Sequence, residues 1–277
     1  MFEQFWKIQI YFILIMKIDE EIRLPIIYNN RKKKGRCVEM KLEVFENYEE
    51  MSRYAADVLQ RQISEKPDSV LGLPTGSTPL GMYRELAKRN LDFSGITTFN
   101  LDEYYKIQKS DEQSYDYFMH HNFFDHINMK PENINIPNGE ADDPQAECRR
   151  YDGAIEKAGG VDLQVLGIGN NGHIGFNEPA DRLCAATNLV TLTESTISAN
   201  SRFFDRIEDV PRQALTTGLK AIMNAKKIIV LVTGGNKAKI LKDTFSGIVT
   251  TQNPASVLQL HSDVTFIVDR DAAALLQ

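Results

Sequence analysis

Apolar residues along this chain recur with two different spacings. Over 47–63 they fall at positions 48, 51, 55, 58, 59 and 63, which predicts a helix with one buried stripe. Other apolar runs are short and end in turn residues, as buried strands do. Strands are predicted at 69–73, 96–101, 161–168, 188–193, 227–233 and 263–268.

Between these strands, further segments carry helix signals. Thr78 is predicted to cap a helix that has Pro79 at its first position. Other helices are predicted at 114–124, 214–225, 236–245 and 270–276. Strands that alternate with helices indicate an α/β fold. We expect a single-domain, Rossmann-like architecture with a mainly parallel sheet and helices on both faces.

The first 39 residues differ from the rest of the chain. The apolar run YFILIM at 11–16 is too short to span a bilayer, and it lacks the flanks and cleavage site of a signal peptide. No internal repeat or low-complexity linker divides residues 40–277. We therefore expect one domain over 40–277 and an N-terminal extension over 1–39 that lies outside the core fold and is disordered or non-native.

Composition narrows the class of partner. The chain has 32 basic and 38 acidic residues, giving a net charge of -6, and this balance is unfavourable for binding nucleic-acid phosphates. Its three cysteines are an odd number without metal-ligand spacing, which fits a reducing compartment. We expect a cytoplasmic protein that binds a small molecule and neither nucleic acid nor a membrane.

Two loops that follow predicted strands are suited to an anion, and ligands of such sheets bind beyond the carboxyl ends of the strands. PTGSTP places Gly76, Ser77 and Thr78 before a helix start. The alternative is a plain turn before a capped helix. TGGNKAK places Lys237 in the first turn of a helix, where its charge opposes the helix dipole unless an anion is bound. The alternative there is a solvated surface lysine.

Adjacent carboxylates, Asp102 and Glu103, follow the second predicted strand. A carboxylate beside an apolar wall has a raised pKa and can act as a proton-transferring base. Because neighbouring side chains of an extended segment point in opposite directions, only one of the two is expected to face a ligand. Capping of the next segment is the alternative role for an aspartate at this position.

The segment GIGNNGHIGFNEP at 167–179 has the glycine spacing of a dinucleotide-binding turn. Such a turn requires a helix after the glycines and an acidic residue beyond the next strand. Here glycine and proline oppose a helix, and Glu194 lacks the expected spacing, so NAD binding is disfavoured. His173 with Glu178, on a polar loop that holds Asn171, instead predicts acid-base chemistry near neutral pH. The alternative is a purely structural histidine.

Eight segments together resemble the glucosamine-6-phosphate deaminase (isomerising) family. They run in order from about residue 40 to residue 277: LGLPTGSTPLGMY, TTFNLDEYY, SYDYFMHHNFFDHI, IPNGEADDPQAECRRYD, LGIGNNGHIGFNEPA, TISANSRFFD, PRQALTTG and LQLHSDVTFIVD. The resemblance implies conversion of glucosamine 6-phosphate and water to fructose 6-phosphate and ammonia in amino-sugar catabolism, with no metal or other cofactor. Residues 1–39 have no counterpart in it.

The resemblance also implies roles for individual residues. Asp102 is the base that takes the proton from C2, and His173, oriented by Glu178, opens the sugar ring. Asn171 stands where some members have aspartate, so its implied role is supporting. Gly172 permits close backbone approach, and the segment 188–217 resembles a mobile lid. The residues implied to bind the phosphate are Gly76, Ser77, Thr78, Arg202 and Lys237.

Departures from the family concern assembly. Hexameric members are activated by N-acetylglucosamine 6-phosphate at a site with basic residues after the N-E-P motif, where this chain has Asn188 and Val190. The chain also ends soon after its last predicted strand. We therefore expect a monomer, rather than a hexamer, without allosteric activation.

Two other functions stand as alternatives. A 6-phosphogluconolactonase shares the sheet and a similar G-x-G-x-x-G-H loop, but it is expected to differ around NLDEYY and HIGFNEP. A non-catalytic sugar-phosphate sensor would most simply have lost Asp102 or His173, and both are present.

Overall fold

The computed structural model describes residues 26–27 and 40–276. The strands are β1 (Ile26–Ile27), β2 (Lys41–Phe45), β3 (Val70–Leu73), β4 (Thr97–Asn100), β5 (Asp102–Tyr104), β6 (Ile134–Asn135), β7 (Leu163–Gly167), β8 (Asn188–Thr191), β9 (Gln213–Thr216), β10 (Lys227–Val232) and β11 (Val264–Asp269). The α-helices are α1 (Tyr48–Glu65), α2 (Leu80–Lys88), α3 (Tyr115–Asn122), α4 (Pro144–Lys157), α5 (Glu194–Asn200), α6 (Leu219–Met223) and α7 (Ala238–Thr244).

The main sheet has the strand order β1-β2-β11-β10-β7-β3-β4-β6 within the described residues. All neighbours pair in parallel except β1, which is antiparallel to β2. Alternate residues of β10 face opposite sides: Val230 packs in one core cluster and Leu231 in the other. Helices α1 and α2 cover the second side, and α4, α6 and α7 cover the first. The predicted α/β class with a mainly parallel sheet covered on both faces is confirmed.

A second, antiparallel sheet has the order β5-β9-β8. The strand predicted at 188–193 belongs to this sheet, and the helix predicted at 214–225 is wrong over its first residues. Ala214 and Leu215 lie in β9, where both are fully buried between β5 and β8, and the helix begins only at Leu219. Strand pairing decided the structure because the apolar spacing of this segment fits either element.

The start of α2 also differs from the prediction. Pro79, not Thr78, is the N-cap residue, and no side-chain hydrogen bond from this residue caps the helix. The hydroxyl of Tyr48, from α1, accepts the Gly81 N–H at 2.7 Å instead. A neighbouring helix thus satisfies a backbone donor that the sequence assigned to a local cap.

The predicted helix at 270–276 is also wrong, because the described residues of this segment form turns. The side chain of Asp269 accepts the Ala272 N–H at 2.8 Å, while its backbone oxygen accepts the Ala273 N–H at 3.1 Å. Beyond this capped turn, Ala274 and Leu276 donate to the backbone oxygens three residues back, at 3.4 and 2.9 Å, so the segment continues as turns and not as a regular α-helix.

The prediction for the N-terminal extension concerns residues that, apart from 26–27, lie outside the described part of the chain. In the described part, no helix is both long and apolar enough to cross a membrane.

Candidate active site

Four loops meet at one edge of the main sheet because β10, β7, β3 and β4 are consecutive parallel strands. The loop after β4 leads into Asp102, and the loop after β7 carries His173. The loops after β3 and β10 carry the predicted anion-binding residues. Neighbouring strands lie about 5 Å apart, so β3 and β10, with β7 between them, place their loops about 10 Å apart.

Asp102 begins β5 and is buried. Burial, followed by the negative charge of Glu103, raises the pKa of Asp102 to about 8. The loop after β7 passes close to it, since a methyl group at Gly175 would lie 3.4 Å from Asp102 Oδ2. Asp102 is therefore a buried carboxylate with high proton affinity next to the histidine loop, which is the state that a general base requires.

Glu103 has a different environment. Its carboxylate accepts the backbone N–H groups of Tyr104, Tyr115 and Asp116 at 2.8, 2.9 and 2.8 Å. Tyr115 and Asp116 form the first turn of α3, so Glu103 satisfies the free donors at that helix start. Glu103 anchors α3 to β5, and of the two adjacent carboxylates it is Asp102 that lies beside the histidine loop.

Close packing accounts for two glycines of the loop at 167–179. A methyl group at Gly169 would lie 2.2 Å from Cε1 of His173, so the imidazole ring packs directly on this glycine. Gly172 has a φ of 88°, and a methyl group there would lie 2.2 Å from Asn253 Oδ1. No regular helix follows the glycines, in contrast to a dinucleotide-binding turn. Gly169 thus makes room for the His173 ring, and Gly172 makes room for the Asn253 side chain.

His173, Glu178 and Asn171 form one polar group. Asn171 Nδ2 donates to Glu178 Oε2 at 2.5 Å, and Asn171 Oδ1 accepts the backbone N–H of His173 at 3.2 Å. His173 Nδ1 lies 3.6 Å from Glu178 Oε2, beyond hydrogen-bond distance, and has no hydrogen-bond partner among the described residues. Burial acts to raise the pKa of Glu178, but His173 and the donors Thr196 and Asn171 lower it overall.

Lys237 and Arg202 form a positively charged region at the end of β10. Lys237 Nζ donates to the backbone oxygen of Ile168 at 2.7 Å, which holds the amine against the histidine loop. Burial, followed by the charge of Arg202, lowers the pKa of Lys237 to about 8. Two cations that disfavour each other in this way are stabilised by an anion placed between them.

Hydrogen bonds from Tyr48, on α1, hold the loop after β3 in place. The Tyr48 hydroxyl donates to the Ser77 backbone oxygen at 3.0 Å, in addition to accepting the Gly81 N–H. Gly76 has a φ of 103°, a conformation that favours glycine. At this edge of the sheet Ser77 is exposed and Thr78 is half-buried.

Helix α5 supplies contacts that the sequence analysis missed. Thr196 donates a short hydrogen bond to Glu178 Oε1, and Asn200 Nδ2 donates to the Tyr104 hydroxyl at 2.8 Å. Tyr104 also packs against Tyr115 and Phe176, the latter from the histidine loop. The available sequence signal was Thr193, whose hydroxyl caps α5, but a cap predicts a helix and not what the helix touches.

Among the described residues, no group of three or more His, Cys, Asp or Glu side chains could hold a metal ion. The catalytic and phosphate-binding candidates are instead a carboxylate, a histidine with its carboxylate and amide, and two cations.

This chain is similar in sequence to known proteins over most of the residues that the structure describes. The family model for glucosamine-6-phosphate isomerases/6-phosphogluconolactonase matches residues 45–267. A glucosamine-6-phosphate deaminase of Thermoanaerobacter sp. (strain X514) is 58% identical over 241 residues, covering 86% of this chain and 95% of that protein.

Solved structures extend the comparison to the fold. A monomeric glucosamine-6-phosphate deaminase is 48% identical, with a TM-score of 0.83 over 85% of this chain and 100% of its own. A 6-phosphogluconolactonase from Thermotoga maritima is 19% identical, with a TM-score of 0.66 over 82% of this chain and 98% of its own. The second likeness shows the fold alone.

Proposed function

Because the chain belongs to the glucosamine-6-phosphate isomerase/6-phosphogluconolactonase family, we propose that it is a glucosamine-6-phosphate deaminase. It converts glucosamine 6-phosphate and water to fructose 6-phosphate and ammonia, in amino-sugar catabolism. The observation that carries this proposal beyond the family is the buried carboxylate of Asp102, whose pKa is raised, beside the loop that holds His173.

Ring opening is assigned to His173. The imidazole takes the proton of the anomeric hydroxyl and returns a proton to the ring oxygen as the C1–O5 bond breaks. Glu178 orients the imidazole and stabilises its cation, while Asn171 holds Glu178 through its amide. The geometry supports this assignment, since Glu178 Oε2 lies 3.6 Å from His173 Nδ1, so that a small movement of either side chain would make a hydrogen bond.

Isomerisation is assigned to Asp102. Its carboxylate takes the proton from C2 of the open-chain aldehyde, the C2–H electrons form a C1–C2 double bond, and O1 takes up a proton to complete the enolamine. A proton delivered to C1 then gives the iminium at C2, to which water adds before ammonia leaves. The raised pKa suits this step, because a carboxylate of high proton affinity is a stronger base than an exposed one.

Phosphate binding is assigned to the loops after β3 and β10. Ser77 and Thr78 offer hydroxyl donors, Gly76 admits the backbone, and Lys237 with Arg202 supplies charge. Anchoring the phosphate at this end fixes C1 and C2 near Asp102, so binding energy far from the reacting carbons orients them. The segment 188–217, which carries Arg202, acts as the lid over this site.

We assign this enzyme to the monomeric, non-allosteric type and to the cytoplasm. The solved monomeric deaminase that it resembles supports the first assignment, as does the presence of Asn188 and Val190 after the N-E-P motif. The odd, unspaced cysteines and the phosphorylated substrate support the second.

The test is release of ammonia and fructose 6-phosphate from glucosamine 6-phosphate by the purified protein. Equal amounts of the two products are expected, with no hydrolysis of 6-phosphogluconolactone assayed in parallel. Lactone hydrolysis without ammonia would replace the proposal by the lactonase alternative. Binding of the sugar phosphate without any turnover would replace it by a sensor.

A further inference from the structure

Both carboxylate oxygens of Glu178 are engaged by neutral donors. Thr196 donates to Oε1 from α5, and Asn171 donates to Oε2 from the histidine loop itself. His173 Nδ1 remains 3.6 Å away. The orientation of this carboxylate is therefore set by two side chains, one of which comes from outside the histidine loop.

The Thr196 hydroxyl is itself fixed at the start of α5. The Thr193 hydroxyl accepts the Thr196 N–H at 3.3 Å and donates to Thr196 Oγ1 at 3.2 Å. With its acceptor side occupied by Thr193, the Thr196 hydroxyl directs its own proton to Glu178. Thr196 is buried, which limits competition from solvent for this bond.

Three contacts to the site come from one short segment. Thr196 and Asn200 are four residues apart and lie on one face of α5. Asn200 donates to Tyr104, two residues after Asp102, and Arg202 follows in the next turn near Lys237. The segment that brings Arg202 to the phosphate site therefore also brings the Thr196 hydroxyl to Glu178.

We propose that Thr196 is a positioning residue for Glu178 in the deaminase reaction, a role that rests on the proposed function. When α5 lies on the site, Thr196 fixes the carboxylate so that it can pair with the His173 cation during ring opening. When α5 moves away, Glu178 keeps only Asn171 as a donor. Phosphate capture by Arg202 and orientation of the ring-opening group are thereby coupled through one helix.

The experiment compares Thr196→Val, which removes the hydroxyl at nearly constant shape, with Thr196→Ser, which keeps it. Ser198→Ala is the matched control, because Ser198 is exposed on the same helix. Measured quantities are kcat and KM for glucosamine 6-phosphate, and the Kd for fructose 6-phosphate. We expect kcat to fall about tenfold or more in Thr196→Val, with KM and Kd changed less than about threefold. Thr196→Ser and Ser198→Ala should remain within about threefold of the unmodified enzyme.

Unchanged kcat in Thr196→Val would overturn the proposal, as would equal impairment of Thr196→Ser. A loss confined to KM and Kd would also overturn it, since Thr196 would then serve only to hold the lid. A crystal structure of Thr196→Val gives a readout that does not depend on turnover. There the Glu178 carboxylate should turn away from His173 Nδ1, to a separation greater than the 3.6 Å of the unmodified protein. If the unmodified protein releases no ammonia, the proposed function fails, whereas an unmoved Glu178 carboxylate refutes the positioning role alone.

Discussion

At the scale of single residues, the site combines groups whose pKa values are displaced toward one another. Burial raises the pKa of Asp102 to about 8, and burial with Arg202 lowers that of Lys237 to about 8. Both displacements are unfavourable to the charged forms and therefore to folding near neutral pH. Such groups are expected where a substrate supplies the missing charge or proton.

The Asp102→Asn variant should be inactive and more stable. The neutral carboxyl is favoured in the folded protein, so the destabilisation appears as pH rises above about 4, the unfolded pKa, and is complete above the folded value of about 8. We expect the free energy of unfolding at pH 8 to rise by several kcal/mol, measured by denaturant titration, since each unit of pKa displacement corresponds to about 1.4 kcal/mol. At pH 4 the two proteins should be equally stable. Fructose 6-phosphate binding should persist, and near-native turnover would refute the role of Asp102 as base.

Loss of the Lys237 proton should lower kcat/KM at alkaline pH. The Lys237 amine is cationic below pH 8 and neutral above it in the free enzyme, whereas Asp102 ionises over the same range, so kcat/KM should pass through a maximum near pH 8 with Lys237 responsible for the alkaline fall. Lys237→Gln should raise KM about 10- to 100-fold at pH 7 through loss of a charge-assisted hydrogen bond. Lys237→Arg keeps its charge at high pH and should move the alkaline fall upward. An alkaline fall that is unchanged in both variants would assign it to another group.

At the scale of elements, the loop after β7 works because its glycines allow side chains to pack on the backbone. The His173 ring fills the space that a side chain at position 169 would need. The loop is held to the second sheet by Asn177, whose amide donates to Ile174 and Thr217 backbone oxygens, both at 2.9 Å. The position of His173 is thus determined by a loop without regular secondary structure, fixed on both sides.

Gly169→Ala should displace the imidazole and lower kcat by about tenfold or more, because the new methyl group would lie 2.2 Å from the ring. The matched control is Gly153→Ala, in the interior of α4, where a methyl group meets nothing within 4 Å. That substitution should raise the free energy of unfolding by about 0.5–1 kcal/mol and leave kcat unchanged. Steady-state kinetics and denaturant titration on both variants check this. Equal kcat in the two variants would contradict the packing argument.

At the scale of the whole molecule, each of the two sheets positions a different part of the site. The parallel sheet presents the loops that hold His173, Lys237 and Ser77 at one edge. The small antiparallel sheet carries Asp102 on β5 and frames α5 between β8 and β9. The site therefore lies where the two sheets meet.

The isolated protein should be a monomer at micromolar concentration by light scattering, and N-acetylglucosamine 6-phosphate should not change its rate. The reason is that the family resemblance implies basic residues in the activated hexamers at the positions where this chain has Asn188 and Val190. A hexameric mass, or a rate increase with the acetylated sugar phosphate, would contradict the prediction.

The sequence by itself determined five strands of the parallel sheet, β3, β4, β7, β10 and β11, because their apolar runs are buried and need no knowledge of their neighbours. It did not predict β2 or the two-residue β6, which are only partly buried. It also determined the order of the strand-end loops, and with them the candidates Asp102, His173 and Lys237. The rule that ligands bind at the carboxyl ends of parallel strands holds for any such sheet. The family resemblance, carried by motifs in those same loops, was likewise available from the residues alone.

The tertiary structure alone decided the antiparallel sheet and the contacts of α5. Ala214 and Leu215 fit a helix or a strand by spacing, and only the presence of β5 and β8 beside them selects the strand. Thr196 has no local feature that marks it, since its partner Glu178 lies 18 residues away. Tyr48 likewise reaches Gly81 across 33 residues. Hydrogen bonds of this kind depend on which elements pack together, a property of the assembled chain that local spacing does not encode.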